Sequence, residues 1–254
     1  MMKEELDLNK GQHILIDKNV LDKEIEESDL NKDDMVIEIG AGTGLLTKKL
    51  CKKAKEVLTF EIDKIFIEDL NNLSEKYKNI KIIFGDALKY DWRGYNKIVS
   101  NIPYYLSEEV VKKAIIADIK EIVLIIGERF KELLFSNEKI GLIARKFYSI
   151  EEIIKVPKES FEPMPRVNSF LIRLKKKDNI AKTDIIMLNI SFGKGKVKNS
   201  IIRALFRIGK TKREARGLIE KINIDKKILE KPVKMITGKL LLRMEKGLKG
   251  LGIF

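Results

Sequence analysis

Asn101-Ile102-Pro103-Tyr104 ends the apolar run Lys97–Ser100 with a side-chain amide, a proline and an aromatic ring. Amide oxygens and free carbonyls are hydrogen-bond acceptors. A proline donates nothing, fixes its own φ and biases the residue before it toward an extended shape. Three further apolar runs stop on groups of similar promise. Met35–Ile39 leads into Gly40, Gly42 and Gly44, Glu56–Asp63 carries Glu61, and Ile80–Asp86 closes on Asp86. Glycines at a strand end let backbone approach a ligand closely. Glu61, 21 residues after Gly40, stands where a carboxylate in a doubly wound fold accepts from both ribose hydroxyls of a nucleoside. Asp86 can accept from the exocyclic amine of an adenine ring. The glycine spacing is G-x-G-x-G, neither the dinucleotide fingerprint nor a P-loop. Any one acid could be a helix cap, as Asp63 ahead of Lys64–Leu70 is expected to be. Four such groups in register point to a ligand crevice along the carboxyl ends of a sheet.

Those residues need strands that end together. Val- and Ile-rich runs at Met35–Gly40, Glu56–Asp63, Ile80–Asp86, Lys97–Asn101 and Lys120–Gly127 alternate with helical periodicity at Gly44–Ala54, Ile65–Tyr77, Ser107–Ala117 and Glu128–Ser136. This alternation predicts an α/β fold, doubly wound around a mostly parallel sheet. Ile150–Val156 and Ser169–Lys177 have no helix between them and predict an antiparallel pair at the sheet edge. The intervening Phe161–Ser169 is broken by prolines. After Lys177 strand runs disappear, and helices are expected at Thr183–Phe192, Val197–Ile208, Thr211–Ile222 and Thr237–Lys246. The expected boundary separates residues 1–179 from a small all-helical domain at 180–254.

Charge divides the same way. The 254 residues carry a net +13, and Ile180–Phe254 hold 19 Lys and Arg against 6 Asp and Glu, so the first 179 residues are neutral. A basic excess confined to one small domain predicts a polyanionic partner. Lys196, Lys198, Arg203, Arg207, Lys212 and Arg213 are the candidate phosphate contacts. No apolar run is long enough to span a bilayer. One cysteine and one histidine argue against a disulfide framework or a His/Cys metal site, so no metal is expected. The charged N-terminus lacks the apolar core of a secretion signal, and a cytoplasmic protein is expected. Cys51 is assigned to a helix facing the core, and Trp92 and Tyr105 to packing.

Glu38–Gly44, Glu61, Gly85-Asp86-Ala87 and Asn101–Tyr104, in this order, resemble S-adenosylmethionine-dependent methyltransferases with their Rossmann-like seven-stranded sheet. Gly11–Asp17, Ser160–Leu174 and Lys196–Leu205 narrow the likeness to the ribosomal RNA adenine dimethyltransferases, over nearly the whole chain. That resemblance implies methyl transfer from S-adenosylmethionine to two adjacent adenosines near the 3′ end of small-subunit rRNA, during ribosome biogenesis. The partner would be that rRNA or a pre-assembled small subunit, and a monomer is expected.

The N6 amine of adenine is a poor nucleophile because its lone pair is delocalised, whereas the cofactor supplies a strong electrophile. Asn101 Oδ1 and the Ile102 carbonyl would each accept an amine hydrogen, Pro103 would direct that carbonyl, and the Tyr104 ring would stack on the flipped base. The resemblance adds Phe161 as the opposing aromatic. It implies cofactor contacts from Gln12, His13, Leu15, Gly40, Glu61, Asp86 and Asn101, while Gly42 belongs to the glycine turn and Ile62 and Ala87, directly after the two acids, are placed to sandwich the adenine. His13 sits where many relatives carry Asn. No dedicated general base is expected, since the charged product amine can lose its proton to water. The competing readings are a large-subunit rRNA adenine methyltransferase of the macrolide-resistance type, a non-catalytic ribosome-assembly factor, and a DNA adenine methyltransferase.

Overall fold

The structure is a computed structural model that describes residues 12–222 and 224–250. The charged N-terminus and Gly11 lie outside the described residues. The chain forms two compact units. One comprises the described residues up to Glu132 together with Ser149–Lys176; the other comprises Leu133–Tyr148 and the described residues from Lys177 on.

In the first unit the elements are β1 (Ile14–Leu15), α1 (Lys18–Glu27), β2 (Met35–Ile39), α2 (Leu45–Lys53), β3 (Glu56–Glu61), α3 (Ile67–Lys76), β4 (Ile80–Phe84), β5 (Lys97–Ser100), α4 (Ser107–Ala117), β6 (Glu121–Gly127) and the start of α5 (Glu128–Phe135), then, after α6 (Lys139–Phe147), β7 (Tyr148–Val156), β8 (Phe161–Glu162) and β9 (Ser169–Lys176). Seven strands form one sheet in the order β4-β3-β2-β5-β6-β9-β7. The first five pair in parallel, and β9 runs antiparallel to β6 from Glu121↔Lys175 to Gly127↔Ser169. The doubly wound, mostly parallel sheet read from the sequence is therefore present, with the two late strands at one edge. Every residue of β6 is buried, as expected of a central strand covered on both faces.

The strand order reverses between β2 and β5, and there the strands part. Ser100 Oγ spans the opening, accepting from Ile39 N at 3.0 Å and donating to Ile39 O at 2.6 Å. A side chain thus replaces the ladder at the point where a crevice must open. Gly44 closes the following turn with φ +76°, a conformation strained for any other residue, and a Cβ there would lie 2.2 Å from Leu73 Cδ1 and push that side chain aside.

Near the opposite end of β5, Lys97 is almost fully buried. Its Nζ lies 3.3 Å from Asp34 and 3.1 Å from Glu121 and donates to the carbonyls of Ser28 and Asp29 at 2.8 and 2.7 Å.

The second unit is helical: the end of α5, α6, then α7 (Lys182–Ser191), α8 (Val197–Arg207), α9 (Lys212–Lys221), α10 (Lys226–Leu229) and α11 (Gly238–Lys249). It differs from the sequence expectation by starting at Lys177 and by including Leu133–Tyr148. Lys146 on α6 explains the inclusion, since it reaches Asp184 on α7 at 2.9 Å and Glu245 on α11 at 2.7 Å. Ile140, Ile143, Ala144 and Phe147 form the buried face of α6. Helix α9 begins with a capping box, in which Thr211 and Glu214 bond each other's backbone N–H.

Lys97→Met should leave Asp34 and Glu121 facing each other unpaired and destabilise the protein by about 3–5 kcal/mol. Denaturant unfolding measures this, and a wild-type midpoint would show that the buried lysine is dispensable.

Candidate active site

A cavity of about 510 Å³ opens at the carboxyl ends of β2 to β5. It is lined by Gly40, Gly42, Glu61 and Asp86 among the sequence-derived glycines and acids, but not by Gly44, with Ile62, Ala87, Asn101 and Pro103 beside them and Gln12, His13 and Leu15 from the N-terminal element. Ile102, Tyr104 and Phe161 do not line it.

Glu61 is the hub of the glycine turn. Its Oε2 accepts from Gly42 N, and its Oε1 accepts from Ile62 N and Asp63 N, each at 2.8 Å. Three of the roughly four acceptor positions of a carboxylate are thereby taken. One remains on Oε2 for a ligand hydroxyl, which is less than the two-handed grip on a ribose that the sequence suggests. Asp86 divides its work similarly. Oδ1 caps the turn after β4 by accepting from Leu88 N at 2.9 Å, and Oδ2 lies 3.8 Å from Lys89 Nζ. Ala87 is buried, and its carbonyl accepts from Trp92 Nε1 at 3.1 Å, which gives the buried Trp92 its packing role. Cys51 is buried on α2, as expected.

The N-terminal element reaches the cavity by pairing with the proline-rich segment. β1 and β8 align antiparallel as Ile14↔Glu162 and Leu15↔Phe161. Ile16 N donates to Ser160 O at 2.9 Å, and Ser160 Oγ donates to Asp17 Oδ2 at 3.1 Å. Gln12 Nε2 donates to Asp63 Oδ2 at 2.8 Å, so it braces the acid next to Glu61. His13 Nδ1 lies 2.7 Å from Pro163 O, and its ring stacks near Tyr104 with centroids 6.4 Å apart and planes at 25°. His13 therefore stands between the cavity and the aromatic of the Asn101–Tyr104 segment.

Phe161 corrects the sequence expectation. It is 5% exposed and packs in the core with Leu15 and Val156, so its ring is not presented to a base. Pairing with β1 is the reason, because directly opposed residues share a face and Phe161 follows the buried Leu15 into the same core cluster. Tyr104 is half-buried. Its hydroxyl bonds Ser169 Oγ, and burial pushes the phenol pKa up. Tyr105, assigned to packing from sequence, is instead 69% exposed and lines the cavity. Only its phase in the short turn after Pro103 could have signalled this.

Glu38 on β2 also lines the cavity. Its Oε2 accepts from Thr47 Oγ1 at 2.6 Å and Thr59 Oγ1 at 2.7 Å, while Oε1 is buried without a partner. Burial pushes this acid up to about 8.

On the second unit Lys196, Lys198, Arg203, Arg207, Lys212 and Arg213 are all exposed. Lys196 pairs with Glu230 at 2.7 Å, and Arg203 donates to the Lys194 carbonyl. Among the described residues no group of three or more His, Cys, Asp or Glu is placed to hold a metal ion, and no helix is long and apolar enough to cross a membrane.

A seven-stranded sheet with a glycine turn, two acids and an Asn-x-Pro-Tyr segment around one crevice defines an S-adenosylmethionine-dependent methyltransferase. The cofactor fits on geometric grounds: the cavity is ample, and a Cβ on Gly42 would meet nothing within 4 Å, so the turn faces open space. Residues 5–232 match the family described as "Ribosomal RNA adenine dimethylase", and the chain belongs to that family. It is 34% identical to a "Probable ribosomal RNA small subunit methyltransferase A" of Pyrococcus abyssi, over 76% of this chain and 74% of the relative. A protein of the same description from Methanosphaera stadtmanae is 33% identical, over 92% and 86%. Among solved structures, a dimethyladenosine transferase from Plasmodium falciparum superposes with a TM-score of 0.67 at 26% identity, covering 95% of this chain and 99% of that one. The 23S rRNA methyltransferase ErmE shares the fold, with a TM-score of 0.63 at 21% identity over 93% and 99%. The chain is thus an S-adenosylmethionine-dependent rRNA adenine dimethyltransferase.

Glu38 keeps in the fold a proton that the unfolded chain loses near 4.5, so the native state binds more protons and stability falls as pH rises from about 4.5 to about 8. Denaturant midpoints at about pH 5 and about pH 8 should show the fall, and Glu38→Gln should lessen it. An undiminished fall in that variant would mean that Glu38 is ionised in the native state.

Proposed function

We propose that this protein dimethylates adenosines of small-subunit rRNA in the cytoplasm during ribosome biogenesis, acting as a monomer on rRNA or a pre-assembled subunit. Residues up to 179 would carry out the methyl transfer, and 180–254 would hold the RNA. The descriptions of the curated relatives support the small-subunit substrate over the large-subunit alternative. One observation carries the chemistry. Asn101 lines the cavity that holds Glu61 and Asp86, and its Oδ1 is buried without a hydrogen-bond partner. Such an acceptor is costly unless something binds it.

In this reading Glu61, Asp86, Ile62 and Ala87 hold the nucleoside part of the cofactor, which supplies an electrophilic methyl group when bound. Gly40 and Gly42 bring backbone close to it. Gln12 braces Asp63, and His13 and Leu15 close the N-terminal side. Asn101 Oδ1 and the Ile102 carbonyl accept the two amine hydrogens and so favour a localised lone pair, with Pro103 fixing the turn that aims the carbonyl. Tyr104 offers its ring to the base, and its hydroxyl bond to Ser169 sets the plane. The proton leaving the product amine goes to water. The exposed lysines and arginines of α8 and α9 bind phosphate without reading sequence.

Methyl transfer from labelled S-adenosylmethionine to isolated small and large subunits, with mapping of the product, tests the substrate. Modification confined to large-subunit rRNA would refute it. Asn101→Ala should lower kcat at least about a hundredfold while the protein stays folded; normal turnover would remove Asn101 from the reaction. Lys198→Glu with Arg207→Glu should weaken binding to rRNA and flatten its dependence on salt by roughly one unit of log–log slope per contact. An unchanged slope would place the RNA elsewhere.

A further inference from the structure

Asp86, Ala87 and Leu88 line the cavity, and their turn is pinned by a lysine for which the proposed reaction has no use. Lys113 sits on α4, the helix that starts three residues after Tyr104. Its Nζ donates to the carbonyls of Ala87 at 3.2 Å, Leu88 at 2.6 Å and Tyr90. All three N–H donors of the ammonium are thereby spent on one stretch of backbone. Nζ also lies 4.6 Å from the centroid of the Trp92 ring, whose Nε1 donates to the same Ala87 carbonyl. Among the described residues Lys113 forms no ion pair, whereas Lys112 beside it takes Glu108 and Glu109 in ordinary helix-surface pairs at 2.6 and 2.7 Å. Lys113 itself does not line the cavity. Inside the turn the N–H groups of Leu88, Lys89 and Tyr90 go to Asp86 Oδ1, the Asp86 carbonyl and the Ala87 carbonyl. The turn keeps an acceptor, Asp86 Oδ2, and a donor, the Ala87 N–H, outside these bonds.

We propose that Lys113 is a positioning residue for the adenine of the cofactor: from α4 it fixes the carbonyls of the Ala87–Tyr90 turn, so that Asp86 and the Ala87 N–H stay presented to the ligand. The proposal rests on the reading in which Asp86 and Ala87 hold that ring. Adenine carries an amine hydrogen beside an unprotonated ring nitrogen, so an acceptor next to a donor reads its edge. A carbonyl turned into the donor's place would repel the ring nitrogen. Carbonyls at the end of a short turn have no partners further along it and need one from outside. Three of them on one cation cannot turn independently. The same helix follows the segment that carries Asn101, so the adenine side and the methyl-transfer side of the crevice share one support.

Calorimetric binding of S-adenosylhomocysteine and S-inosylhomocysteine distinguishes positioning from packing. The inosyl compound has an oxygen in place of the amine and a proton on the adjacent ring nitrogen. The wild type should prefer the adenosyl compound. Lys113→Met, which keeps the length and loses the donors, should lower affinity for S-adenosylhomocysteine about tenfold and leave that for S-inosylhomocysteine nearly as it was. The KM for S-adenosylmethionine should rise with it, while kcat on small subunits at saturating cofactor stays near that of the wild type. Equal losses for both compounds, or a preference as strong as in the wild type, would overturn the proposal. If Lys113→Met does not fold, Lys113→Gln, whose amide can serve two carbonyls at most, is read by the same criteria. If neither folds, the lysine serves the fold alone and the proposal falls. The wild type separates the two levels. Failure of the wild type to tell the two compounds apart sinks the reading beneath, whereas a wild-type preference that survives in Lys113→Met sinks only the positioning role.

Discussion

The parallel register of β2, β3, β4 and β5 is the constraint on which the site depends. Ile39 pairs with Phe60 and Glu61 with Phe84, so three strands run out within a residue or two of one another. Whatever follows each strand is delivered to the same edge. Glu61 then ties that edge together through backbone N–H groups of its own turn and of Gly42. On the other side of β2 the ladder is deliberately incomplete. Ser100 satisfies both polar groups of Ile39, and β5 can turn away to carry Asn101 to the far wall of the crevice. A continued backbone ladder would have closed the place where the ligand belongs.

The same edge concentrates buried acids. Glu38 and Glu61 line the cavity and are both less than a tenth exposed, and Glu38 keeps one oxygen with no partner. A core selected for stability alone would fill these positions with apolar side chains. Their presence beside the cavity, while most of the remaining sheet interior is aliphatic, fits a site whose polar groups are held ready rather than relaxed. The Lys97 cluster is the contrasting case: every charge there has an opposite partner, and it lies at the end of the sheet away from the ligand.

The sequence made the strand ends legible because each rests on a local signal: a Val/Ile run, then a glycine or a short polar residue. It left less visible what depends on partners distant along the chain. Nothing in Lys139–Phe147 announces that it packs with residues past Lys177, since an amphipathic helix looks alike in either unit until Lys146 meets Asp184 and Glu245. Phe161 sits in a proline-rich signature that reads as a loop, and only its pairing with Leu15 turns the ring inward. Glu24 is buried, although it lies among charged neighbours in Lys18–Glu27 and passes for a solvated residue. Its phase was nevertheless readable, four residues after Val20 and three after Leu21, on the apolar face.

Tyr104 shows why segments so far apart in the chain belong to one device. Its ring rests against Gly127 at the end of β6, where a Cβ would come within 3.0 Å of the ring, so a larger residue would displace it. Its hydroxyl is held by Ser169, the first residue of β9, which pairs with that same Gly127. The His13 ring approaches from the third side, held by the Pro163 carbonyl. The N-terminal element, the proline-rich segment and the end of β6 thus fix a single aromatic plane next to Asn101. Rigid placement of that plane matters more than the ring's own affinity. A base must arrive with its amine within reach of Oδ1, and an error of about an ångström there costs on the order of a hundredfold in rate.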